Sequence, residues 1–476
     1  MRRALTRIAY PVELDSMSSP SPGAPAFGHY DLVVIGAGAG GLVTSGGAAQ
    51  LGARTLLVEQ HRLGGECLYT GCVPSKAMIA AAADSGDWAT ARGAVRGAIA
   101  TIEPHDSPDR FRGFGVDVVF GRAIFTGRDT LRINDRDITA RRFVIATGSD
   151  PAIPPIPGLA DLPYRTNEDI FELAERPDHL LVIGGGVIGC ELSQAFVRLG
   201  ARVTVIDTGP LLPRDDPDAV AVVRAQLVAD GVVLHENSAI VSAAASPGGA
   251  ALTLGDGSVI SGSHVLVASG RAPRTQGYGL EAAGVEFTRA GIAVDRYLRT
   301  SNTRIFAIGD CRDGPRLTHA ADQDARTVIQ NALFPFRKKT DYTALPAATF
   351  TDPELAQVGL TEAAARAAHP SVQVLRHDFD HNDRSVTDRD MRGFVKIMAV
   401  GNKVVGMTIV GAHAGELLAL AGFAVAGKLS LSDLANQTYA YPTLAEAIRF
   451  AAELPGQAKL FTPTMRRITR LFQKLP

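Results

Sequence analysis

The chain has 476 residues, of which 46% are hydrophobic, and it carries a formal net charge of −1 at pH 7. This length is enough for three or four domains, and the balanced charge gives no indication of a nucleic acid or an anionic membrane as a partner. No uninterrupted apolar run approaches the ~18 residues of a membrane span. The chain also contains only four cysteines, so we expect a cytoplasmic protein without a membrane span.

Residues 1–28 differ in composition from the rest of the chain. Three early arginines, Arg2, Arg3 and Arg7, are followed by a segment rich in proline, serine and glycine. The segment contains no apolar run of the kind found in a secretory signal. This composition predicts a disordered N-terminal extension.

The first patterned segment combines a strand, a glycine-rich turn, a helix and a second strand. The run YDLVVI (30–35) has the apolar composition of a buried parallel strand. Gly36, Gly38 and Gly41 follow it with G-x-G-x-x-G spacing, and the second strand ends in Glu59. Such glycines let the backbone approach a pyrophosphate, and the acid can accept ribose hydroxyls. The order of these features predicts a dinucleotide-binding unit.

The segment GGECLYTGCVPSK (64–76) holds two of the four cysteines. In a regular helix, residues spaced as Cys67 and Cys72 lie roughly 8 to 9 Å apart at Cα, whereas disulfides need ~4.4 to 6.8 Å. A disulfide would therefore require a distorted turn, which Gly71 permits. Lys76 follows Cys72 by four residues, and its ammonium group would favour the reactive thiolate. The alternative is a passive staple, but staples are typical of small secreted domains, so we predict a redox-active pair.

A second unit of the same design spans residues 179–207. Its glycines are Gly184, Gly186 and Gly189, and its second strand ends in Asp207. No arginine follows Asp207 directly to accept a 2′-phosphate, which favours NAD over NADP. Two dinucleotide folds in one chain predict two bound dinucleotides, with the cysteine pair close to them.

The remaining segments predict further strands and a third domain. The strand-like run FVIATGS (143–149) precedes a proline-rich stretch that suits a crossing between domains. The run NTRIFAIGDC (302–311) predicts another strand, followed by a turn at Asp310. After about residue 340, strands and helices alternate without a glycine fingerprint, which predicts an α+β domain.

With these motifs in order, the sequence resembles the class I pyridine nucleotide-disulfide oxidoreductases, which include dihydrolipoamide dehydrogenase, glutathione reductase and mercuric reductase. The resemblance implies an α/β fold with two Rossmann-like dinucleotide-binding domains, for FAD and NAD(P). It also implies a C-terminal α+β dimerisation domain that completes the partner's active site in a homodimer. The implied divisions are the extension 1–28, the FAD domain 29–160 with 270–343, the NAD(P) domain 161–269 and the dimerisation domain 344–476.

The resemblance also implies roles for the predicted site residues. Cys72 would be the charge-transfer thiol against the flavin, and Cys67 the interchange thiol that meets the substrate. Lys76 and Glu191 would form an ion pair beside the flavin. The implied cofactor-binding residues are Gly36, Gly38, Gly41, Glu59, Gly65, Lys76, Thr147, Gly148, Gly184, Gly186, Gly189, Asp207, Gly270, Arg271, Asp310, Leu317, Thr318, His319 and Ala320.

The last domain departs from the family pattern at one position. Dihydrolipoamide dehydrogenases and glutathione reductases carry a His-Pro-Thr segment, with a glutamate five residues after the histidine, as an acid/base dyad. Here Tyr441 replaces the histidine, while Glu446 keeps the position of the glutamate. Free tyrosine titrates near pH ~10 and histidine near ~6.5, so Tyr441 is a competent proton donor but a poor base. An adjacent Glu446 carboxylate would favour the neutral phenol further.

These residues and the family resemblance predict an enzyme that passes electrons from NADH, by way of FAD, to the Cys67–Cys72 disulfide. An unidentified acceptor then takes the electrons, and it is a small-molecule disulfide, a protein disulfide or another oxidant. Three alternatives stay open: a dihydrolipoamide dehydrogenase that works with Tyr441, a mercuric reductase-like enzyme, and a flavin-disulfide redox sensor that switches partner binding. Mercuric reductases also carry tyrosine at this position, but they end in a vicinal cysteine pair for the soft metal. The final segment here, FTPTMRRITRLFQKLP, contains no cysteine and predicts a basic, solvated terminal helix.

Four further side chains are assigned to structure rather than to chemistry. Cys190 and Cys311 each follow a glycine-rich turn, and we expect small buried thiols there. His319 and His413 have no second residue at ligand spacing, which predicts hydrogen-bonded structural histidines and no metal site.

Overall fold

A computed structural model describes residues 29–84 and 86–473. The predicted extension, residues 1–28, lies outside the described residues. Within them, no helix is long and apolar enough to cross a membrane.

The first part of the chain forms a mixed sheet whose central strands are parallel, in the order β3-β2-β1-β6, with β5 and β4 added antiparallel at the β6 edge. Its strands are β1 (Tyr30–Ile35), β2 (Thr55–Glu59), β3 (Val116–Phe120), β4 (Ala123–Phe125), β5 (Thr130–Ile133), β6 (Arg136–Ile145) and β7 (Ser149–Pro151). Its helices are α1 (Ala39–Gln50), α2 (Gly65–Tyr69), α3 (Cys72–Asp84), α4 (Trp88–Ile102) and α5 (Pro108–Gly113). Leu32, Val33 and Val34 are completely buried, which explains the unbroken apolar run of β1.

The second part repeats the parallel design, in the order β10-β9-β8-β14, and adds an antiparallel sheet of β11, β12 and β13. Its strands are β8 (His179–Ile183), β9 (Arg202–Ile206), β10 (Val233–His235), β11 (Ile240–Ser246), β12 (Gly249–Leu254), β13 (Val259–Gly262) and β14 (His264–Val267). Its helices are α6 (Val187–Arg198) and α7 (Pro217–Ala229). The parallel strands place the second glycine loop at the carboxyl end of β8, as the first loop lies at the end of β1.

The chain then returns to the first sheet. The returning elements are β15 (Arg271–Pro273), β16 (Phe287–Thr288), β17 (Gly291–Ile292), β18 (Ile305–Ala307) and α8 (Thr318–Leu333). Strand β18 pairs in parallel with β6, and β15 pairs with β7. The second nucleotide-binding unit is therefore an insertion between strands of the first.

The last part is an antiparallel sheet in the order β19-β20-β23-β22-β21, covered by helices. Its strands are β19 (Pro346–Thr349), β20 (Glu354–Gly359), β21 (Gln373–Asp378), β22 (Phe394–Val400) and β23 (Lys403–Gly411). Its helices are α9 (Glu362–Ala368), α10 (Asp383–Asp388), α11 (Ala414–Val425), α12 (Leu431–Asn436), α13 (Glu446–Leu460) and α14 (Pro463–Phe472). The small and branched residues Ala421, Ile448 and Ala451 bury α11 and α13 in the core of this domain.

A buried charge cluster joins the last domain to the inserted unit. The Lys396 ammonium group, on β22, lies 2.9 Å from Asp216, 2.7 Å from Asp218 and 2.8 Å from Glu362. The two aspartates begin α7, whereas the lysine and glutamate belong to the last domain. Separating the two units would remove both aspartates from the Lys396 ammonium group and leave Glu362 as its remaining partner, which is unfavourable.

Candidate active site

One continuous cleft, about 2320 Å³ in volume, contains both glycine loops and both reactive cysteines. It follows the carboxyl ends of the two parallel sheets and extends to the third sheet at Phe350. In open α/β sheets, ligands bind outside the carboxyl ends of the strands. The cleft is therefore where dinucleotides are expected.

The two glycine loops are built alike. Gly36 and Gly184 have positive φ angles of 101° and 115°, and a Cβ on either residue would collide with the carbonyl oxygen of the strand end beside it. A Cβ on Gly41 or Gly189 would collide with the carbonyl oxygen of the first glycine in its own loop. These four positions thus require glycine for the turn and for close helix packing.

The middle glycines face open space. A Cβ on Gly38 or Gly186 would meet no protein atom within 4 Å. Both residues line the cleft and precede the first residue of a helix, α1 or α6. Room beside a helix N-terminus, next to its backbone N–H donors, suits a pyrophosphate. The residues present therefore fit a dinucleotide in each loop.

The acid at the end of each second strand holds its glycine loop. Glu59 accepts a hydrogen bond from the backbone N–H of Ala37 at 2.7 Å. Asp207 accepts one from the N–H of Gly185 at 2.6 Å. Both carboxylates also line the cleft, so they fix the loops and remain near the position expected for ribose hydroxyls.

The two cysteines meet at a break between helices. Helix α2 ends at Tyr69 and α3 begins at Cys72, and the two Sγ atoms lie 3.2 Å apart as free thiols. A Cβ on Gly71 would lie only 3.1 Å from the carbonyl oxygen of Glu66, so the absence of a side chain allows the tight turn. The distorted turn predicted at Gly71 is confirmed.

Thr318 contacts both sulfur atoms. Its hydroxyl oxygen, at the first residue of α8, lies 2.7 Å from Sγ of Cys67 and 3.5 Å from Sγ of Cys72. The hydrogen bond from Cys67 lowers the pKa of Cys72 to about 6, and Thr318 and the Lys76 ammonium group act in the same direction. The same hydrogen bond, together with burial, raises the pKa of Cys67. The arrangement therefore places the proton on Cys67 and the negative charge on Cys72.

Lys76 and Glu191 form a direct ion pair, with 2.7 Å between Nζ and Oε2. The Glu191 side chain is only 3% exposed, and its second oxygen accepts a hydrogen bond from the backbone N–H of Phe350 at 2.8 Å. The Lys76 ammonium group also lies 4.6 Å from the centre of the Phe350 ring. One carboxylate thus joins the dithiol helix, the inserted unit and the last domain beside the cleft.

A network that the sequence did not reveal holds the cysteine turn. Arg271 contacts the carboxylate of Glu66 and donates to the amide oxygen of Asn167 at 3.0 Å. Asn167 donates to Glu66 at 2.8 Å and to the carbonyl oxygen of Thr70 at 3.0 Å. Burial raises the pKa of Glu66 to about 7, although the Arg271 guanidinium opposes this. The only sequence signal was an acid directly before Cys67.

Most of the other predicted cofactor residues also line the cleft. Asp310 accepts a hydrogen bond from the hydroxyl of Ser149 at 2.8 Å, and His319 donates to the carbonyl oxygen of Pro346 at 2.7 Å. Ala320 differs, because it is completely buried inside α8. The remaining predicted residues that line the cleft are Gly65, Thr147, Gly148, Gly270 and Leu317.

Tyr441 and Glu446 lie away from the cleft, and they do not pair with each other. The Tyr441 side chain is largely solvent-exposed and donates to a carboxylate oxygen of Asp383 at 3.0 Å. Glu446 begins α13 and turns back to accept from the N–H of Thr443 at 3.3 Å and to contact Arg449 at 3.2 Å. Within the described chain, Glu446 is engaged at its own helix N-terminus rather than with Tyr441. The acid/base role of the two residues stays a prediction.

The pKa of Tyr441 is nevertheless raised, as a neighbouring carboxylate would require. The hydrogen bond to Asp383 is the main cause, and Glu446 adds only a smaller contribution. The phenol is thus held in its neutral form by a carboxylate that the sequence analysis did not consider. Of the remaining assigned side chains, Cys190 and Cys311 are completely buried, as predicted.

Comparison with protein families identifies the chain. Residues 30–325 match the pyridine nucleotide-disulphide oxidoreductase family, and residues 345–452 match the dimerisation domain of the same family. The chain belongs to this family. The oxidoreductase therefore has the predicted α/β fold, with FAD and a nicotinamide nucleotide as the cofactors of its class.

The oxidoreductase is similar over most of its length to two kinds of relative. It is 35% identical over 454 residues to a mercuric reductase of Streptomyces lividans, covering 89% of this chain and 96% of the relative. It is 33% identical over 458 residues to a dihydrolipoyl dehydrogenase of Geobacillus stearothermophilus, covering 89% and 96%.

Two solved structures share the fold. The copper(II) complex of the HOCl-induced flavoprotein disulfide reductase RclA of Escherichia coli has a TM-score of 0.84 and 26% identity, covering 90% of this chain and 99% of RclA. LpdA of Mycobacterium tuberculosis has a TM-score of 0.81 and 27% identity, covering 89% and 99%. The relatives agree on a FAD-dependent pyridine nucleotide-disulfide oxidoreductase, but they differ in the acceptor that their names imply.

Proposed function

We propose that the enzyme oxidises NADH and reduces its Cys67–Cys72 disulfide, which then reduces an acceptor bound at Cys67. When bound, FAD and the nicotinamide nucleotide supply the electron pair. Uptake of two electrons and one proton breaks the S–S bond and leaves a thiol at Cys67 and a thiolate at Cys72. The observation that carries this proposal is the pair of sulfur atoms 3.2 Å apart, with the Lys76 ammonium group favouring charge on Cys72.

In this proposal, different residues of the chain would hold the two cofactors. Gly36, Gly38 and Glu59 would hold the adenosine half of FAD, and Asp310 its ribitol. The glycine loop at Gly184 would hold the nicotinamide nucleotide; the corresponding residues are Gly184, Gly186, Gly189 and Asp207. No arginine directly follows Asp207, which supports NADH as the donor.

The second half of the proposed reaction is thiol–disulfide exchange. The Cys67 sulfur, once its proton has left, attacks one sulfur of an acceptor disulfide. The acceptor S–S bond breaks, a mixed disulfide forms at Cys67, and the other acceptor sulfur leaves as a thiolate that takes up a proton. The Cys72 thiolate then attacks Cys67, which releases the second thiol of the acceptor and restores the internal disulfide. Deprotonation of Cys67 is the demanding step, because burial and its hydrogen bond to Cys72 raise its pKa. Tyr441, the residue at the family's base position, is a poor base.

Reduction of a soft metal ion is a second candidate acceptor reaction. The similarity to mercuric reductases favours it, and thiolates such as Cys72 are the ligands that soft metals prefer. Within the described residues, the thiols that line the cleft are those of Cys67 and Cys72. Hg(II) therefore belongs in the acceptor panel beside disulfides, quinones and oxygen.

An anaerobic titration tests the proposal. The purified holoenzyme is titrated with NADH or NADPH, and its free thiols are then counted with a thiol reagent under denaturing conditions. We expect NADH to release two thiols per chain in the wild type and none in Cys72→Ser. A protein that binds no flavin, or a thiol count that NADH does not change, would overturn the proposal.

The acceptor panel separates an enzyme from a redox sensor. Rapid turnover of NADH with any acceptor, lost in Cys67→Ser, supports an enzyme that uses the dithiol. Partner binding that changes with NADH but proceeds without turnover would support the sensor instead. We also propose a cytoplasmic homodimer, supported by the family's dimerisation domain; light scattering of the purified protein measures the mass.

A further inference from the structure

The near-neutral charge of the whole chain conceals a basic segment at α14. No acidic residue follows Glu453 in the sequence. The basic residues after that point are Lys459, Arg466, Arg467, Arg470 and Lys474. This segment therefore carries a local positive charge that the net charge of −1 does not reveal.

Helix α14 separates this charge from its apolar side chains. Arg466, Arg467 and Arg470 share one face because they lie one, three and four residues apart. The opposite face carries Met465, Ile468, Leu471 and Phe472. A helix with a basic face and an apolar face is typical of segments that lie in the plane of a membrane surface.

The apolar face is only partly covered by the rest of the described chain: Met465 is half-buried and Ile468 is 38% exposed. Leu471 is 66% exposed and Phe472 is 64% exposed, and no residue of α14 is buried. The preceding Leu460 and Phe461 are exposed by 59% and 69% and extend the apolar surface. Isolated exposed apolar residues are ordinary, but a contiguous group beside a basic face indicates a binding surface.

The helix is nonetheless well defined by its own sequence. The hydroxyl of Thr462 accepts a hydrogen bond from the N–H of Met465 at 3.2 Å, and Pro463 occupies the first turn. Both features favour a helix start at this point. The ten residues of α14 therefore form a helix that presents an exposed basic face, because Arg466, Arg467 and Arg470 are all exposed.

Charge complementarity identifies the occupant of this surface. The match to the family's dimerisation domain covers residues 345–452 and does not include α14. A second copy of α14 facing the first would bring arginines together with no acid in the segment to balance them. Anionic lipid headgroups balance them directly, while the acyl chains accept the apolar face.

We propose that α14 docks the enzyme on the surface of an anionic phospholipid bilayer, with Leu471 and Phe472 inserted among the lipids and the three arginines at the headgroups. The enzyme does not span the bilayer in this arrangement. Docking brings the enzyme to the membrane surface and leaves NADH in the aqueous phase. The proposal does not depend on the identity of the acceptor.

Co-sedimentation of the holoenzyme with vesicles tests the proposal. Vesicles of phosphatidylcholine alone are compared with vesicles that also contain phosphatidylglycerol, at low and at high salt. We expect the wild type to bind the anionic vesicles at low salt, with binding reduced at high salt by screening. Two variants should each reduce vesicle binding at least about tenfold. One replaces the apolar residues, Leu471→Glu/Phe472→Glu, and the other replaces the basic residues, Arg466→Gln/Arg467→Gln/Arg470→Gln.

A matched control removes three exposed arginines elsewhere, with the substitutions Arg141→Gln, Arg202→Gln and Arg289→Gln. This variant should bind vesicles like the wild type, and all variants should oxidise NADH with a water-soluble acceptor at the wild-type rate. Binding of the wild type to neither vesicle would overturn the proposal. So would a Leu471→Glu/Phe472→Glu variant that dissociates in light scattering, because the helix would then cover a second copy of the chain.

Discussion

The dithiol site and the Tyr441 site, which we call the two ends of the enzyme's chemistry, differ in how many side chains surround the reactive group. At the dithiol end, one chain brings together Cys67, Cys72, Thr318, Lys76 and Glu191, with every side chain in contact with another. At the other end, Tyr441 lies on the surface, 72% exposed, and within the described residues its hydroxyl donates a hydrogen bond to Asp383.

The difference indicates which half of the reaction a single chain can carry out. Storage of two electrons and one proton needs only the dithiol, its hydroxyl neighbour and its ammonium group, all of which line one cleft. Proton exchange with a substrate needs a further group, and the family resemblance implies that this group would come from the partner subunit. In this chain, the residue at that position is a neutral phenol rather than a base.

Loss of either sulfur at the dithiol end should reduce activity more than any other change. We expect Cys67→Ser and Cys72→Ser each to reduce NADH-dependent disulfide reduction to the uncatalysed background, because exchange requires both sulfur atoms. Cys190→Ala is the matched control, since Cys190 is buried and its side chain contacts the carbonyl oxygen of Gly185. Steady-state assays with a small disulfide give the rates. Substantial activity in either serine variant would show that electrons leave the enzyme by another route.

Restoring a base at position 441 should increase activity at the other end of the enzyme's chemistry. We expect Tyr441→His to increase dihydrolipoamide oxidation by ~10² to 10⁴-fold, the usual contribution of a general base. The rate should rise with pH through the imidazole pKa near ~6.5, because only the neutral ring accepts a proton. Tyr441→Phe should stay as slow as the wild type. A wild type that already oxidises dihydrolipoamide at the rate of the histidine variant would contradict the role assigned to Tyr441.

Removing the ammonium group should have a smaller effect, confined to the dithiol end. The pKa of Cys72 is lowered to about 6, so its thiolate is present above that pH and is lost as the pH falls below it. We expect Lys76→Met to move the pKa of Cys72 towards the ordinary thiol value of ~8.5. The pH dependence of alkylation of the reduced enzyme, resolved for each cysteine by mass spectrometry, measures this change.

A double variant separates the charge effect from damage to the fold. Lys76→Met alone leaves the buried Glu191 carboxylate without its partner, which destabilises the protein. Lys76→Met/Glu191→Gln removes both charges and keeps the hydrogen bond that Phe350 donates. Because Lys76 lowers and Glu191 raises the pKa of Cys72, we expect the alkylation midpoint to shift less in the double variant than in Lys76→Met. A midpoint at the wild-type value in both variants would contradict the role assigned to the Lys76 ammonium group.

The local motifs made much of this fold predictable. A strand, a glycine turn, a helix and a strand ending in an acid lie within about 30 residues of each other, so both nucleotide units were evident from the sequence. The sheet of β11, β12 and β13 was not predicted. Its strands, such as IVSAAAS, are rich in alanine and serine and lack the β-branched alternation of a typical strand.

Long-range contacts account for what the sequence analysis missed at the site. Glu66 meets Arg271 across 205 residues and Asn167 across 101 residues, distances over which no local pattern predicts a contact. Tyr441 meets Asp383 across 58 residues for the same reason. Lys76 and Glu191 were expected to pair only because the family resemblance supplied the contact.

The position of Glu191 couples the movement of one domain to the acidity of a thiol in another. Its carboxylate lies on α6 of the inserted unit, and it holds the ammonium group that favours the Cys72 thiolate. A displacement of α6 away from α3 would release that ammonium group and change how readily Cys72 ionises. Because such coupling is reciprocal, a nucleotide that displaced α6 on binding would change the acidity of Cys72, and ionisation of Cys72 would change the affinity for that nucleotide by the same factor.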